Sequence, residues 1–284
     1  VNVSFAGEAR TVKAGKDGKF LMRLKKMKAS TEPQVLVVKA DGESVEVKNV
    51  VVGEVWLCSG QSNMAMTVGR SKDFEKEQAA ATYPGIRMFI TDRKTSPTPL
   101  EDCPGTWYVC SLETVGSFSA TAFFFGRELH KQLEVPIGLV HSSWGGTCVE
   151  AWTPMASLEK FPSVMEYKAA EDAKIEKFDE AAYEARFAKQ LEEWPERVKQ
   201  AKANGKRPPE RPKKAGSPAL SPNYPANLYN AMIHPLVPYG IRGAIWYQGE
   251  RNAKTPEGAM LYRDLLENMT VQWRKDWNDK FPFY

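Results

Sequence analysis

Ser62 is the residue best suited to chemistry in this sequence, because it lies in a polar turn directly after an apolar strand. The segment Gly53–Ser59 (GEVWLCS) predicts a buried strand, and the turn Gly60–Met64 (GQSNM) follows it without a break. Open α/β folds bind their ligands at the carboxyl ends of such strands. We therefore predict that Ser62 is a nucleophile; the alternative is a turn serine that caps the following helix. The Gly-x-Ser-x-Gly elbow of lipases is excluded, because Met64 replaces the last glycine.

Two further polar segments also follow predicted strands, namely Ser142–Thr147 (SSWGGT) and Gln248–Asn252 (QGERN). An attack by serine on an ester needs hydrogen-bond donors for the oxyanion that forms. The backbone N–H of Ser62 and that of Gly145 or Gly146 are the candidates, since glycine lets the backbone approach a substrate closely. On spacing alone, an ordinary tight turn explains the glycine pair equally well.

Together these segments resemble the SGNH (GDSL-like) hydrolases, in the version carried by sialate O-acetylesterases and related carbohydrate acetylesterases. Gly60–Met64 is similar to the first motif of that family. Ser142–Thr147 with Glu150–Thr153 (EAWT), and then Ala244–Asn252 (AIWYQGERN), match further motifs in the same order. Three ordered motifs are a specific signal, whereas a lone Gly-x-Ser would be weak. The similarity extends from about residue 50 to the last residue, apart from a charged insertion.

The resemblance implies a fold, a reaction and a set of site residues. The fold is a three-layer α/β/α, flavodoxin-like domain with a parallel sheet. The reaction removes O-acetyl groups from carbohydrates through an acyl-enzyme on Ser62, with no cofactor or metal. A third oxyanion donor in the family is a side-chain amide from Gly-x-Asn-Asp. Because Arg251 occupies the place of that Asn, the amide would come from Gln248 or Asn252, and Gln248 is favoured as the residue that ends a strand.

Residues around these motifs are candidates for contact with a sugar. We assign substrate binding to Gln61, Asn63, Trp144 and Glu250. A carboxylate at Glu250 would bind sugar hydroxyls or hold a loop by accepting backbone N–H bonds. Trp144 and Trp152 would stack on a sugar face, although tryptophans at such spacing also pack in cores.

The general base is the missing part of the predicted site. The resemblance implies an Asp-x-x-His motif near the carboxyl end, after a further strand, and Lys280–Tyr284 is where that strand would begin. We therefore expect the base to lie beyond Tyr284 and this segment alone to be inactive. His141 is the internal alternative, because it ends a strand just before the glycine loop. We expect His130 on the surface and His234 in a structural hydrogen bond.

The elements around these motifs predict two modules. Residues 1–52 form a β-rich module, part of a sandwich, and residues 53–284 form the hydrolase domain. The predicted strands of the first module cover residues 1–5, 19–24, 34–40 and 44–52. In the second, strands cover 86–90, 137–141 and 241–248, and helices cover 71–82, 117–133 and a last segment capped by Thr255 with Pro256 at its first position.

An insertion at about residues 155–225 interrupts the hydrolase pattern. Its first part, Val164–Lys202, is rich in Ala, Glu and Lys and predicts a helical surface excursion with a kink at Pro195. Its second part is proline-rich and predicts an extended segment.

Composition narrows the class of protein and its partners. The chain has 284 residues, is 42% hydrophobic and carries a net charge of +4, which fits a globular protein. The basic run Lys206–Lys214 has no interleaved aromatic residues, so we do not expect nucleic-acid binding. No stretch predicts a membrane span. The resemblance, and not composition, implies an acetylated sugar as the partner and export of the protein, and the oligomeric state is open.

The four cysteines do not have metal-binding spacing. Either Cys103 and Cys110 form a disulfide, or all four are free thiols. Two alternative functions also stay open: a non-catalytic glycan-binding protein on the same scaffold, and a hydrolase of thioesters or amides.

Overall fold

The computed structural model describes residues 1–212, 214 and 216–284. Residues 1–52 form a four-stranded antiparallel sheet with the order β2-β1-β3-β4. Its strands are β1 (Asn2–Phe5), β2 (Glu8–Thr11), β3 (Ser30–Ala40) and β4 (Glu43–Val52). The first, third and fourth correspond to predicted strands. Whether the sheet is part of a sandwich stays a prediction, as do the module boundaries.

The first sheet differs from the prediction at its second strand. The predicted strand at residues 19–24 is wrong, because this stretch is irregular and Phe20 and Leu21 are exposed. The partner of β1 is instead β2, which the prediction lacked. Ala6 and Gly7 both have positive φ, at 52° and 76°, and this tight turn folds the chain back immediately.

The second sheet has five strands in the order β7-β6-β8-β5-β9. They are β5 (Glu54–Gly60), β6 (Tyr83–Thr91), β7 (Gly105–Cys110), β8 (Ile137–Ser143) and β9 (Gly243–Tyr247). All neighbours pair in parallel except β7, which pairs antiparallel with β6. Strand β7 is absent from the predicted strands. Cys103 and Cys110 are free, as are Cys58 and Cys148.

Helices and turns cover both faces of this sheet, so the predicted three-layer α/β/α arrangement is confirmed. The helices are α1 (Ser62–Ala65), α2 (Phe74–Ala79), α3 (Ala120–Leu133), α4 (Met155–Leu158), α5 (Pro162–Glu176), α6 (Glu180–Ala203) and α7 (Pro256–Trp277). One core, on the α3 side, includes Phe118 and Phe123. The other, on the α7 side, includes Trp152 and Trp273. The predicted helix at residues 71–82 is longer than the observed α2.

Helix α7 begins at the residues that the sequence predicts. The Thr255 hydroxyl accepts a hydrogen bond from the Gly258 N–H, and Pro256 is the first helical residue, where a missing N–H has no cost. The buried side of the helix includes Leu265, Met269, Trp273 and Trp277.

Residues 282–284 lie beside β9 and pair with it in parallel. The Ala244 N–H donates to Pro282 O at 2.9 Å, and the Tyr284 N–H donates to Ala244 O at 3.0 Å. Phe283 pairs with Ala244 in the same direction. This pairing matches the expected start of another strand at Lys280–Tyr284.

As far as the structure describes it, the insertion contains α4, α5 and α6, followed by a return segment (residues 204–225) with one helical turn at Pro218–Leu220. Pro195 lies inside α6, so the proline does not end the helix. The Trp194 indole N–H donates to Pro209 O at 3.0 Å, which fixes the return segment against α6. Within the described residues, no helix is long and apolar enough to cross a membrane.

Candidate active site

The carboxyl ends of three parallel strands meet at the middle of the second sheet. Gly60 at the end of β5 lies in register with Ser143 of β8 on one side and with Tyr247 of β9 on the other. The segments that follow these strands are the three motifs of the sequence. The structure therefore brings Gly60–Met64 together with the Trp144–Gly146 loop and the Gln248–Asn252 loop.

Gly60 allows the end of β5 to lie close to the backbone of β9. Its φ is 139°, and a Cβ at this position would lie 2.2 Å from Tyr247 O, closer than any side chain can come. The next residue, Gln61, donates its backbone N–H to the same Tyr247 carbonyl at 2.9 Å. The turn is thereby joined to β9 before the chain reaches Ser62.

Ser62 is exposed and is the first residue of the short helix α1. The position that would cap the helix belongs to Gln61, and no side chain caps α1. A capping role for Ser62, the alternative to catalysis, is therefore absent from the structure. The Ser62 backbone N–H donates to no backbone acceptor in the part of the chain that is described.

Gly145, the first residue of the glycine pair, lies directly against Ser62. The Trp144 N–H donates to Gly60 O at 3.1 Å, which docks the loop on the turn. A Cβ on Gly145 would lie 3.4 Å from Ser62 Cβ, so the backbone of Gly145 lies against the serine. Across the described residues, the N–H groups of Gly145 and Gly146 donate to no backbone acceptor. The N–H groups of Ser62, Gly145 and Gly146 thus have no backbone acceptor among the described residues, and their role in binding an oxyanion stays a prediction.

The amide side chains of Gln248 and Asn252 hold the chain that follows the glycine pair. Gln248 Nε2 donates to Thr147 O and to Asn252 Oδ1, each at 2.9 Å. Asn252 Oδ1 also accepts from the Val149 N–H at 3.1 Å, and its Nδ2 donates to Glu150 Oε2 at 2.9 Å. Both amides already donate to protein acceptors, so their role as third oxyanion donor stays a prediction.

Asn223 is a contact of the glycine loop that the sequence did not reveal. It lies in the return segment of the insertion, and its Oδ1 accepts from the Cys148 N–H at 3.0 Å. Its Nδ2 lies 3.4 Å from Gly146 O. No local motif marks this residue, because it reaches the site from a distant part of the chain.

Glu250 lies opposite the nucleophile turn and bridges the two residues that flank Ser62. Its Oε1 accepts from Asn63 Nδ2 at 2.6 Å, and its Oε2 accepts a short hydrogen bond from Gln61 Nε2. One expectation is that Glu250 holds a loop by accepting backbone N–H bonds. Glu250 does hold the turn, but the donors are side-chain amides, so this part of the expectation is wrong. Binding of sugar hydroxyls by Gln61, Asn63 and Glu250 stays a prediction.

The two candidate tryptophans have different environments. Trp152 is fully buried in the core, and its indole N–H donates to Thr147 Oγ1 at 3.0 Å. A stacking role for Trp152 on a sugar is therefore wrong. Trp144 is half-buried at the glycine loop, and the Arg93 guanidinium lies 5.9 Å from its ring centre. Sugar binding by Trp144 stays a prediction.

His141 is buried beside the site and faces Ser143. Its Nε2 lies 2.6 Å from Ser143 Oγ, while its Nδ1 is buried with no partner among the described residues. Burial, with the nearby charge of Arg93, lowers the pKa of His141 to about 4. The imidazole is therefore neutral at pH 7, and its hydrogen bond goes to Ser143 instead of Ser62.

The other two histidines bond to carbonyl groups away from the serine. His130 Nδ1 lies 2.7 Å from Val135 O, and the residue is half-buried, so the expected surface position is only partly right. His234 Nδ1 lies 2.8 Å from Leu100 O, which confirms the predicted structural hydrogen bond.

Known proteins similar to this chain act on acetylated carbohydrates. The family model "Carbohydrate esterase, sialic acid-specific acetylesterase" matches residues 52–200. The sialate O-acetylesterase of Mus musculus is 32% identical over an alignment of 251 residues, and the match covers 84% of this chain and 41% of the mouse protein. The Homo sapiens sialate O-acetylesterase is 31% identical over an alignment of 244 residues, and the match covers 82% of this chain and 37% of the human protein.

A solved structure agrees with these sequence matches. The crystal structure of a carbohydrate acetylesterase from Xanthomonas citri superposes with a TM-score of 0.74 at 33% identity, and the match covers 99% of this chain and 52% of that one. The chain spans less than half the length of the curated relatives named above. On the family match, the extent of identity and the shared fold, the chain belongs to the sialic acid-specific acetylesterase family of carbohydrate esterases.

Proposed function

We propose that this chain carries the nucleophile and the oxyanion-binding groups of a serine esterase that removes O-acetyl groups from carbohydrates. The observation that carries the proposal is the position of exposed Ser62 against Gly145, in a loop where the N–H groups of Gly145 and Gly146 have no backbone acceptor among the described residues. Family membership supports the same reaction.

In the proposed reaction, Ser62 Oγ attacks the carbonyl carbon of the acetyl ester. The serine proton passes to a base, and the carbonyl oxygen becomes an oxyanion that the three N–H groups bind. The bond between the carbonyl carbon and the sugar oxygen then breaks, and the sugar hydroxyl leaves with a proton. Water attacks the acetyl-serine, which releases acetate and restores Ser62.

The base in this proposal is a group other than the three histidines. His130, His141 and His234 each place a ring nitrogen against a different partner, at Val135, Ser143 and Leu100. His141 is also held neutral inside the protein by burial, which lowers its pKa to about 4. A base with so low a pKa has little driving force to take a serine proton at pH 7.

The proposed substrate is an acetylated sugar, and sialic acid is the first candidate because curated relatives are sialate O-acetylesterases. Acetylated xylan is the second candidate, since the similar bacterial structure is described more broadly as a carbohydrate acetylesterase. Export of the protein belongs to the same proposal, because such glycans lie outside the cytoplasm.

The experiment is hydrolysis of p-nitrophenyl acetate, O-acetylated sialic acid, acetylated xylan and an acetyl thioester. Each is assayed with the 284-residue chain and with a form lengthened at its carboxyl end. Ser62→Ala is expected to abolish hydrolysis and labelling by a fluorophosphonate. The matched control is Ser44→Ala, which changes an exposed serine on β4.

The outcomes separate the candidate functions. Ser62-dependent release of acetate from sugars supports the esterase, and preference for the thioester indicates a different acyl bond. Binding of acetylated sugar with no hydrolysis by either form would favour a glycan-binding protein. Equal rates for the two forms, lost on His141→Ala, would contradict the assignment of the base to another group.

A further inference from the structure

The Gly145–Gly146 loop depends on a side chain from the insertion. Asn223 makes contacts on both sides of Thr147: its Oδ1 accepts from the Cys148 N–H at 3.0 Å, and its Nδ2 lies 3.4 Å from Gly146 O. One amide group therefore contacts two consecutive peptide units of the loop. An amide side chain can do this because it carries both a donor and an acceptor.

Gly146 is the position in the loop that most needs such a restraint. Its φ is 76°, nothing lies within 4 Å of where its Cβ would be, and a glycine has wide backbone freedom. Because each peptide unit is planar, a bond to Gly146 O fixes the plane between Gly146 and Thr147. The bond therefore also limits how far the neighbouring N–H groups of Gly145 and Gly146 can reorient.

Asn223 is itself held in place by the insertion. Its backbone N–H donates to Ser221 Oγ at 3.2 Å. The neighbouring Tyr224 hydroxyl donates to Asp172 Oδ1 at 2.5 Å, and Lys168 Nζ donates to Asp172 Oδ2 at 2.7 Å. These contacts connect Asn223 to helix α5, so the insertion reaches the site through Tyr224 and Asn223.

We propose that Asn223 is a positioning residue that holds the Gly145–Gly146 loop so that its N–H groups face the acetyl carbonyl attacked by Ser62. This assignment rests on the proposed esterase function. It also gives the insertion a role in the reaction, since the restraint comes from outside the three sequence motifs.

The test compares Asn223→Ala with the wild type in the form of the protein that hydrolyses p-nitrophenyl acetate. We expect kcat to fall about 10- to 100-fold with KM within about twofold, because the loop contacts the oxyanion more than the bound ester. Hydrogen exchange of residues 144–149 in the 284-residue chain is expected to become roughly tenfold faster. Asn204→Ala, an exposed substitution at the end of α6, is the control and is expected to change neither quantity.

The two measurements keep the proposals separate. An unchanged kcat for Asn223→Ala, or unchanged exchange across residues 144–149 in a folded variant, would overturn the positioning role. A rise in KM with constant kcat would also overturn it and would indicate substrate contact. If the wild type hydrolyses no acetyl ester, the esterase proposal fails, and faster exchange in the variant would still show that Asn223 restrains the loop.

Discussion

Replacing Glu250 with glutamine tests whether the carboxylate positions Ser62 or binds the sugar. Glu250 accepts from Gln61 and Asn63 through its two different oxygens. Hydrogen bonds to a charged group contribute about 1.5–3 kcal/mol each when sheltered. Glu250 is exposed, so we take about 1 kcal/mol for each bond. Glutamine keeps one acceptor oxygen and therefore loses about one of the two bonds.

The expected kinetic effect follows from this loss. If the loss of one bond in Glu250→Gln displaces Ser62 in the transition state, the activation free energy rises by about 1 kcal/mol and kcat falls roughly fivefold. Glu250→Ala loses both bonds, and kcat falls about 30-fold. The fall is the same for p-nitrophenyl acetate and for an O-acetyl sugar, because both need the same serine. Glu267→Gln, which changes an exposed carboxylate on α7, is the control.

A different pattern would refute this reasoning. If Glu250 binds sugar hydroxyls, Glu250→Gln raises KM for the O-acetyl sugar and leaves the hydrolysis of p-nitrophenyl acetate unchanged. That result would show that the bridge does not position Ser62.

Three further substitutions have expected effects on stability, each measured by urea unfolding. Gly60→Ala places a Cβ 2.2 Å from Tyr247 O and separates β5 from β9, which lowers the free energy of unfolding by about 2–4 kcal/mol; unchanged stability would contradict the close approach. Trp152→Ala leaves a cavity in the core and costs about 3–5 kcal/mol, whereas a loss below about 1 kcal/mol would contradict full burial. Burial and the charge of Arg93 lower the pKa of His141 from 6.5 to about 4. Between these two pH values the folded state binds fewer protons than the unfolded chain. The free energy of unfolding therefore falls as the pH drops from about 6.5 to about 4. His141→Gln is expected to flatten this part of the stability curve, and an unaltered pH dependence would show that His141 is not its cause.

The convergence of the motifs could be predicted from the sequence because it follows from parallel pairing. Apolar strands that each end in a polar turn, at Gly60, Ser143 and Tyr247, place those turns at one edge of a sheet. The start of α7 was equally predictable, since Thr255 and Pro256 act within one turn of helix.

Features that depend on distant partners were not predictable. Trp107 and Tyr108 of β7 are exposed, so this segment lacks the buried apolar pattern that predicts a strand. The segment is a strand because it pairs with β6. The bridge from Glu250 to Gln61 and Asn63 joins residues of two motifs, yet neither motif shows which side chains meet.

The place of β5 between β8 and β9 has a consequence for the order of assembly. The turn that bears Ser62 is synthesised early, but its backbone partner Tyr247 belongs to a strand that enters much later. Such long-range contacts form late in folding, because closing a long loop has a high entropic cost. The Ser62 turn therefore acquires this contact only after β9 has joined the sheet, and a nascent chain that ends before β9 lacks the Tyr247 carbonyl to which the Gln61 N–H donates.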